Sequence, residues 1–490
     1  MNTWRSIRLL GLVMIATPLG AEIPKPDDAP QPKAPAESKK CFKLPEGFRI
    51  DLIASEPLIR DPSCLAWDER GRLFVTEIHG YNLEGHLDVS ELNKTGELDL
   101  SIRRVRVDEA MKAEARKGQR GSLKLLRDRN GDGRMDEVIV WADDLPAAYG
   151  VVPARGGLIV MAEPHIFFFA DTNGDDKPDV RERIFTGFDR GEMERSINNP
   201  VWGPDNWIYA GRGWGGATVT GPKLKETVKL GRTDFRFKPD GSAIEPVSGD
   251  NHTFGMSFDD FGNRFLITTG QPVRYAAPLP YRYLARNQHV SSPGTTVGAS
   301  PYHNTFPISQ PHPWRRKRGA DERWVKFYGS GEAKPNGNFT SACGQQIYRA
   351  DLFPKKFHGN HFACEPQQSM VHRSILERDG AGLKARRPEE HANSEFLSSS
   401  DGWFRPNNLR VGPDGALYIV DMYREIIEDY SAIPRYLQQQ YGLLNGDDRG
   451  RIWRVAPKAS APGPLEMGDD MTDPKYFSHP NAWWRETAQR

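Results

Sequence analysis

A short unit of strand, acidic or glycine turn, and returning strand recurs along the chain, and that recurrence limits the folds open to it. Its clearest copy, residues 405–423, reads RPNNLRVGPDGALYIVDMY. Leu409 and Val411 alternate with Arg410, Gly412-Pro413-Asp414-Gly415 makes a tight turn, and residues 416–420 return as an apolar strand. Glycine and aspartate supply the unusual turn dihedrals, proline pre-sets one φ angle, and the flanking period of two marks an antiparallel hairpin. Residues 61–77, 199–211 and 252–269 keep the same order, and weaker copies run through 149–162 and 343–364. So small a sheet cannot bury its own face. Six copies in series therefore predict an all-β, six-bladed β-propeller in which neighbouring blades cover one another. The copies are unevenly separated, by roughly 50 to 90 residues, which predicts long loop insertions. The largest are 78–121, with a helical piece at 108–117, and 271–342.

Two more alternating strands, 48–53 and 451–455, are placed to share one blade and close the ring, removing a sheet edge. Residues 1–21 carry Arg5 and Arg8, an apolar run at 9–19, then Gly20-Ala21, the pattern of a secretory signal cleaved after Ala21. The expected location is therefore periplasmic or extracellular. Residues 22–44 read as a disordered proline-rich linker, 45–457 as the propeller and 458–472 as a second linker. Residues 473–490 (DPKYFSHPNAWWRETAQR) read as the start of a helical domain, truncated before Trp483 and Trp484 find a partner. The alternative is that the Trp pair packs back on the propeller.

With 66 basic and 65 acidic residues there is no global field to attract nucleic acid or an anionic membrane. Nothing after the N-terminus approaches the length of a membrane span, so no transmembrane segment is expected in the mature chain. Four cysteines in an exported chain suggest disulfides. Cys343 opens one strand and Cys364 nearly closes its return, which predicts a bridge between them; Cys41 with Cys64 follows by parity. None lies in C-x-x-C-H, so covalently attached haem is not expected in this chain.

Two acidic loops lie between strands. Residues 128–136 read DRNGDGRMD and 171–179 read DTNGDDKPD. Asp128, Asn130, Asp132 and Asp136, and likewise Asp171, Asn173, Asp175 and Asp179, space oxygen ligands to wrap a hard cation, with Ca²⁺ the expected one. A polar hairpin turn is the plainer alternative. In the second loop Asp176 replaces the glycine of the sharp bend.

Strand order assigns faces. If the innermost strand of each blade runs from face one to face two, the GPDG turn and both acidic loops fall on face two. Residues just before a first strand or just after a second gather on face one around the axis. That set holds Glu77, His79, Asn199, Arg212, Asn251, His252, Gln271, Arg274, Arg405, Asn408, Tyr423 and Arg424. It predicts a cationic and aromatic pocket for an anionic or polyhydroxylated ligand. His252 is the expected acid or base, with Asn251 beside it; a structural histidine satisfied by its neighbours is the equal alternative.

The strings FRPNNLRVGPDGALYIVDMYRE, CGQQIYRADLFPKKFHGNHFACEP and NPVWGPDNWIYAGRG, with the two NGD loops, resemble the propeller module of a large bacterial family of membrane-bound dehydrogenases of the haem-binding C-x-x-C-H type. The resemblance covers roughly residues 45–457. In that family HEAT-like repeats and a cytochrome c domain usually follow the propeller. The propeller is similar in turn to the soluble quinoprotein glucose and sorbosone dehydrogenases, which use pyrroloquinoline quinone and Ca²⁺. Those enzymes place a catalytic histidine ahead of a VWGPD-type strand, where this chain has Asn198-Asn199-Pro200, and of their Arg-Asn pair only Asn251 matches. The resemblance implies a dehydrogenase that oxidises a sugar or polyol with a bound quinone and passes electrons to a cytochrome c domain or protein. In it Arg274, Arg405 or Arg424 would hold the quinone carboxylates. The competing reading is a non-catalytic propeller that binds glycan or protein as a scaffold.

Overall fold

The computed structural model describes residues 22–213, 216–231, 233–247, 253–277, 281–284, 286–287, 289, 295–329, 334–460, 467 and 470–490. The expected signal, residues 1–21, lies outside them, as do Asn251 and His252.

Six antiparallel sheets stand around one axis. Their innermost strands are Pro62–Trp67, Ala148–Ala154, Asn198–Trp202, Met256–Phe258, Cys343–Ile347 and Pro406–Val411, one for each recurring unit. In the sixth blade the outer strand comes from the N-terminal side. Phe48–Ser55 pairs along its length with Arg451–Pro457, so the two chain ends close the ring.

Burial follows the logic of sheets that cannot cover themselves. Apolar side chains from one blade interlock with those of the next: Ile53, Val420 and Ile452 of blade six meet Leu65, Trp67 and Val75 of blade one. Trp67 sets its ring edge-on to Tyr418 across that seam, centroids 4.6 Å apart. Similar clusters join blades two to three and five to six.

Residues 22–44, expected as a disordered linker, are laid along the propeller. The Pro30 carbonyl accepts the Trp403 indole N–H at 2.7 Å, and the Lys33 carbonyl accepts from Arg451 at 2.6 Å. Pro35–Lys39 is helical, and Phe42–Lys43 adds an edge strand to blade five by pairing with Leu397–Ser399. Low hydropathy argued for disorder, but proline carbonyls are strong acceptors and Phe42 packs against Phe404 and Trp453.

The C-terminal stretch also docks. Helix Ala482–Gln489 covers the face-two end of the axis, with Asn481 donating to the Gly412 and Pro413 carbonyls and Trp484 to Pro413. The Trp pair thus packs back on the propeller. Helices Leu83–Leu92, Glu109–Gly118, Pro313–Ala320, Glu322–Tyr328 and Arg435–Gln440, mostly from the two long insertions, form a cap around Trp314, Tyr430 and Leu437. Among the described residues no helix is long and apolar enough to cross a membrane.

Candidate functional site

The starts of all six innermost strands converge on one cavity of about 240 Å³ on face one. Ser63, Tyr149, Asn199, Phe254, Cys343 and Asn408 each come from, or just precede, a different blade's first strand. The side is thus the one strand order assigns to residues preceding first strands. Ile78, Tyr81, Met193 and Met422 make an apolar wall, and Glu194, Arg195, Glu428 and Asp429 form the rim.

Asn199 is the best-defined polar group. Its backbone takes φ 51°, a left-handed conformation that asparagine tolerates better than most residues. Its Oδ1 accepts from the Arg410 guanidinium at 2.8 Å, which turns the amide N–H donors toward the cavity. Arg410 also donates to Asn408 Oδ1 at 2.9 Å, while the Asn408 amide donates to the Ser63 carbonyl. Arg410 therefore orients both asparagines. Sequence reasoning passed over it, although the period of two that placed Asn408 toward the axis places Arg410 there as well.

The rim is a nearly balanced charge lattice. Arg106 reaches Asp429 at 2.6 Å and Glu192 at 2.8 Å, Arg195 lies 3.3 Å from Glu192, and Arg315 lies 3.5 Å from Glu428. Glu194 has no such cation among the described residues. Burial, with the negative charge of Asp429 and Glu192 added, pushes its carboxyl up to about 8. At neutral pH it is a carboxylic acid that can donate as well as accept.

Several expected site residues sit elsewhere. Arg405 is buried behind the pocket, donating to the backbone carbonyls of Pro366, Gln367, Arg424 and Glu425. Arg424 pairs with Asp61 at 2.7 Å, both side chains wholly buried. Tyr423 donates its hydroxyl to Asp401. Glu77 accepts from Ser122, Lys124 and the Arg60 amide, with His79 beside it. Arg212 is buried against Asp234 and Leu230. Gln271 and Arg274 bond each other on the third strand of blade four, because the turn before Gln271 is only two residues long. At these strand-end positions the polar side chains serve backbone groups and neighbouring side chains and do not gather on the axis. The pocket is accordingly not cationic. Among the described residues its one lining cation, Arg195, already lies 3.3 Å from Glu192, and quinone carboxylates would also face Glu194, Glu428 and Asp429.

The acidic loops share their bend but not their surroundings. In both, the first aspartate accepts two backbone N–H groups, as Asp128 does from Gly131 and Gly133 and Asp171 from Gly174 and Asp176. Asp136 and Asp179 accept from the amides of Arg129 and Thr172, and Asn130, Asn173, Asp132 and Asp175 from amides two residues on. In the second loop Arg72 contacts Asp171 at 2.9 Å and Asp176 at 2.6 Å, and Arg127 pairs with Asp176. A guanidinium already supplies the positive charge, so that loop does not fit a calcium ion. The first loop's carboxylates carry no ion-pair partner among the described residues. No three His, Cys, Asp or Glu side chains there converge on a single cation position.

Cys343 and Cys364 occupy directly opposed positions of adjacent antiparallel strands, both as free thiols. Burial pushes both thiols up. One further constellation resembles a hydrolase triad: His372 lies 3.1 Å from Ser374 Oγ and 2.6 Å from Glu395. All three are sealed inside blade five, Ser374 and His372 with no exposed surface, so a substrate has no route to them.

A family model described as a domain of unknown function, DUF7133, matches residues 34–459. The chain belongs to this family. The match spans the ring with its closing strands and the docked segment from residue 34. No curated protein matches the sequence. Similar solved structures include the apo soluble aldose sugar dehydrogenase of Escherichia coli, 12% identical with a TM-score of 0.41, covering 84% of this chain and 100% of that one. The PQQ-bound aldose sugar dehydrogenase of Streptomyces coelicolor is 14% identical with a TM-score of 0.40, over 84% and 100%. The holo PQQ domain of pyranose dehydrogenase from Coprinopsis cinerea is 12% identical with a TM-score of 0.42, over 88% and 98%. Similarity at this distance says nothing of chemistry in this DUF7133 propeller.

Proposed function

We propose that the face-one cavity binds a small neutral polyhydroxylated molecule, a sugar or polyol. The observation that carries this is Asn199, held by Arg410 with its amide donors toward a cavity that is apolar on one wall and ringed by hydroxyl, amide and carboxyl groups. Sugars are amphipathic in the same way: their C–H faces suit Tyr81 and Met193, and their hydroxyls suit Asn199 and Glu194.

A bound pyrroloquinoline quinone would supply hydride-accepting chemistry, but the one cation of the described lining, Arg195, is paired with Glu192 and outnumbered by Glu194, Glu428 and Asp429. Binding without oxidation is therefore the reading the geometry supports. Oxidation with electron transfer to a cytochrome c, and export, rest on the sequence alone. Dye reduction with sugar, Ca²⁺ and added quinone separates the two. No turnover is expected, and quinone-dependent reduction would restore the dehydrogenase reading.

Binding should depend on pH through Glu194. Its raised pKa means the folded protein keeps this proton until the pH passes about 8. Above that, the wall loses a donor and gains a carboxylate beside Asp429 and Glu192. Titration calorimetry is expected to show affinity falling by about threefold to tenfold as pH rises through that value. Glu194→Gln should hold its affinity across the same range; a parallel fall in the variant excludes Glu194.

Calcium belongs, in this reading, to the first acidic loop alone, as a structural ion. Ca²⁺ is expected to raise the melting temperature of the wild type and of Asp175→Ala, and to leave Asp132→Ala unmoved. Equal response in Asp132→Ala places the ion elsewhere.

A further inference from the structure

The far ends of the same six innermost strands enclose a second cavity, of about 140 Å³, on face two. Trp67, Pro153, Trp202, Phe258, Ile347 and Val411 form its ring, and the C-terminal helix lies over it. Arg410 spans the floor between the two cavities. Its guanidinium meets Asn408 Oδ1, the Leu409 carbonyl, Asn199 Oδ1 and the Cys64 sulfur, and among the described residues it has no carboxylate within ion-pair distance. Arg410 is half-buried, and a guanidinium withdrawn this far from bulk water is ordinarily paired. The one carboxylate on the cavity wall, Glu486, is engaged by Arg349 at 2.6 Å. Ser257, 4% exposed, lines the same cavity, and its hydroxyl has no hydrogen-bond partner. Arg490 brings a second guanidinium to the rim, where it donates to the Pro153 carbonyl.

These three donors come from blades six and four and from beside blade two, so they surround the axis at intervals of about a third of a turn. A guanidinium with no carboxylate partner among the described residues, an unsatisfied buried hydroxyl and a second guanidinium around one small cavity together describe a seat for a small anion with several acceptor oxygens. We propose that the face-two half of the axial channel binds a small oxyanion of the phosphate or sulfate type, held by Arg410 and Ser257 with Arg490 at the rim. The ion would neutralise Arg410 and so steady the two asparagines of the sugar pocket, but its binding does not require that any sugar bind.

Phosphate and sulfate are titrated into the full chain, with sodium chloride at matched ionic strength as control, and read by thermal melting and by calorimetry. The expected result is a saturable rise in melting temperature with either oxyanion beyond the chloride control. Affinity should fall about tenfold or more in Arg410→Gln, and by about threefold to tenfold in Ser257→Ala, which loses one hydrogen bond. If Arg410→Gln does not fold, the pair Ser257→Ala with Arg490→Gln carries the test, with loss of saturation expected. Oxyanions no better than chloride, or unchanged affinity in the variants, overturn the proposal. Sugar binding measured in phosphate-free buffer reads the face-one pocket separately.

Discussion

Arg424→Ala is expected to lower the unfolding free energy by about 3–5 kcal/mol, the range seen when one partner of a buried ion pair is removed. Arg424 and Asp61 meet at 2.7 Å with neither side chain exposed, so the deletion strands a carboxylate between blades six and one. Asp61 also supplies a pH signature. Burial already outweighs the arginine's pull and raises its pKa to about 6. A carboxyl raised on folding favours the folded state most below its unfolded pKa and loses that advantage as pH rises through the folded value. Without Arg424 the pKa climbs further, so the variant's deficit should be largest above pH 6 and shrink as Asp61 takes up its proton. Chemical denaturation at several pH values reads this. A variant of wild-type stability would return Arg424 to the list of candidate ligand-binding residues.

Deletion of residues 22–55 is expected to abolish cooperative unfolding altogether. It removes the strand Phe48–Ser55, whose pairing with Arg451–Pro457 completes blade six. It also removes Ile53 from the seam with blade one and Phe42 from its contacts with Phe404 and Trp453. An open ring exposes an edge strand and an apolar blade face together, which favours aggregation over a folded monomer. A single sharp melting transition in the deleted chain would show that ring closure is dispensable.

The blades were legible because a strand, a tight turn and a returning strand leave a local signature, and ring closure followed from two stray strands that needed partners. The side chains around the axis were harder. Asn199 and Asn408 could be placed on face one from their position at strand starts. Arg405 and Arg424 stand just as near strand ends, yet they turn to backbone carbonyls and to Asp61. Linear order locates a residue at one end of a blade but does not tell which way a long flexible side chain leaves it. The acidic loops carry the same lesson. Their ligand spacing is nearly identical, but Arg72, distant in sequence, sits on only one of them. Docking of residues 22–44 was hidden for a related reason, and that of the Trp483–Trp484 helix stood only as the alternative, since the carbonyl acceptors that hold them belong to no motif.

Equilibrium binding of a sugar and polyol panel, compared between wild type and Asn199→Ala, bears most directly on the face-one pocket. Saturable binding of at least one neutral polyhydroxylated compound is predicted, weakened about tenfold by Asn199→Ala, with no comparable binding of pyrroloquinoline quinone. Tight quinone binding with no sugar bound, or sugar affinity indifferent to Asn199, would contradict the account.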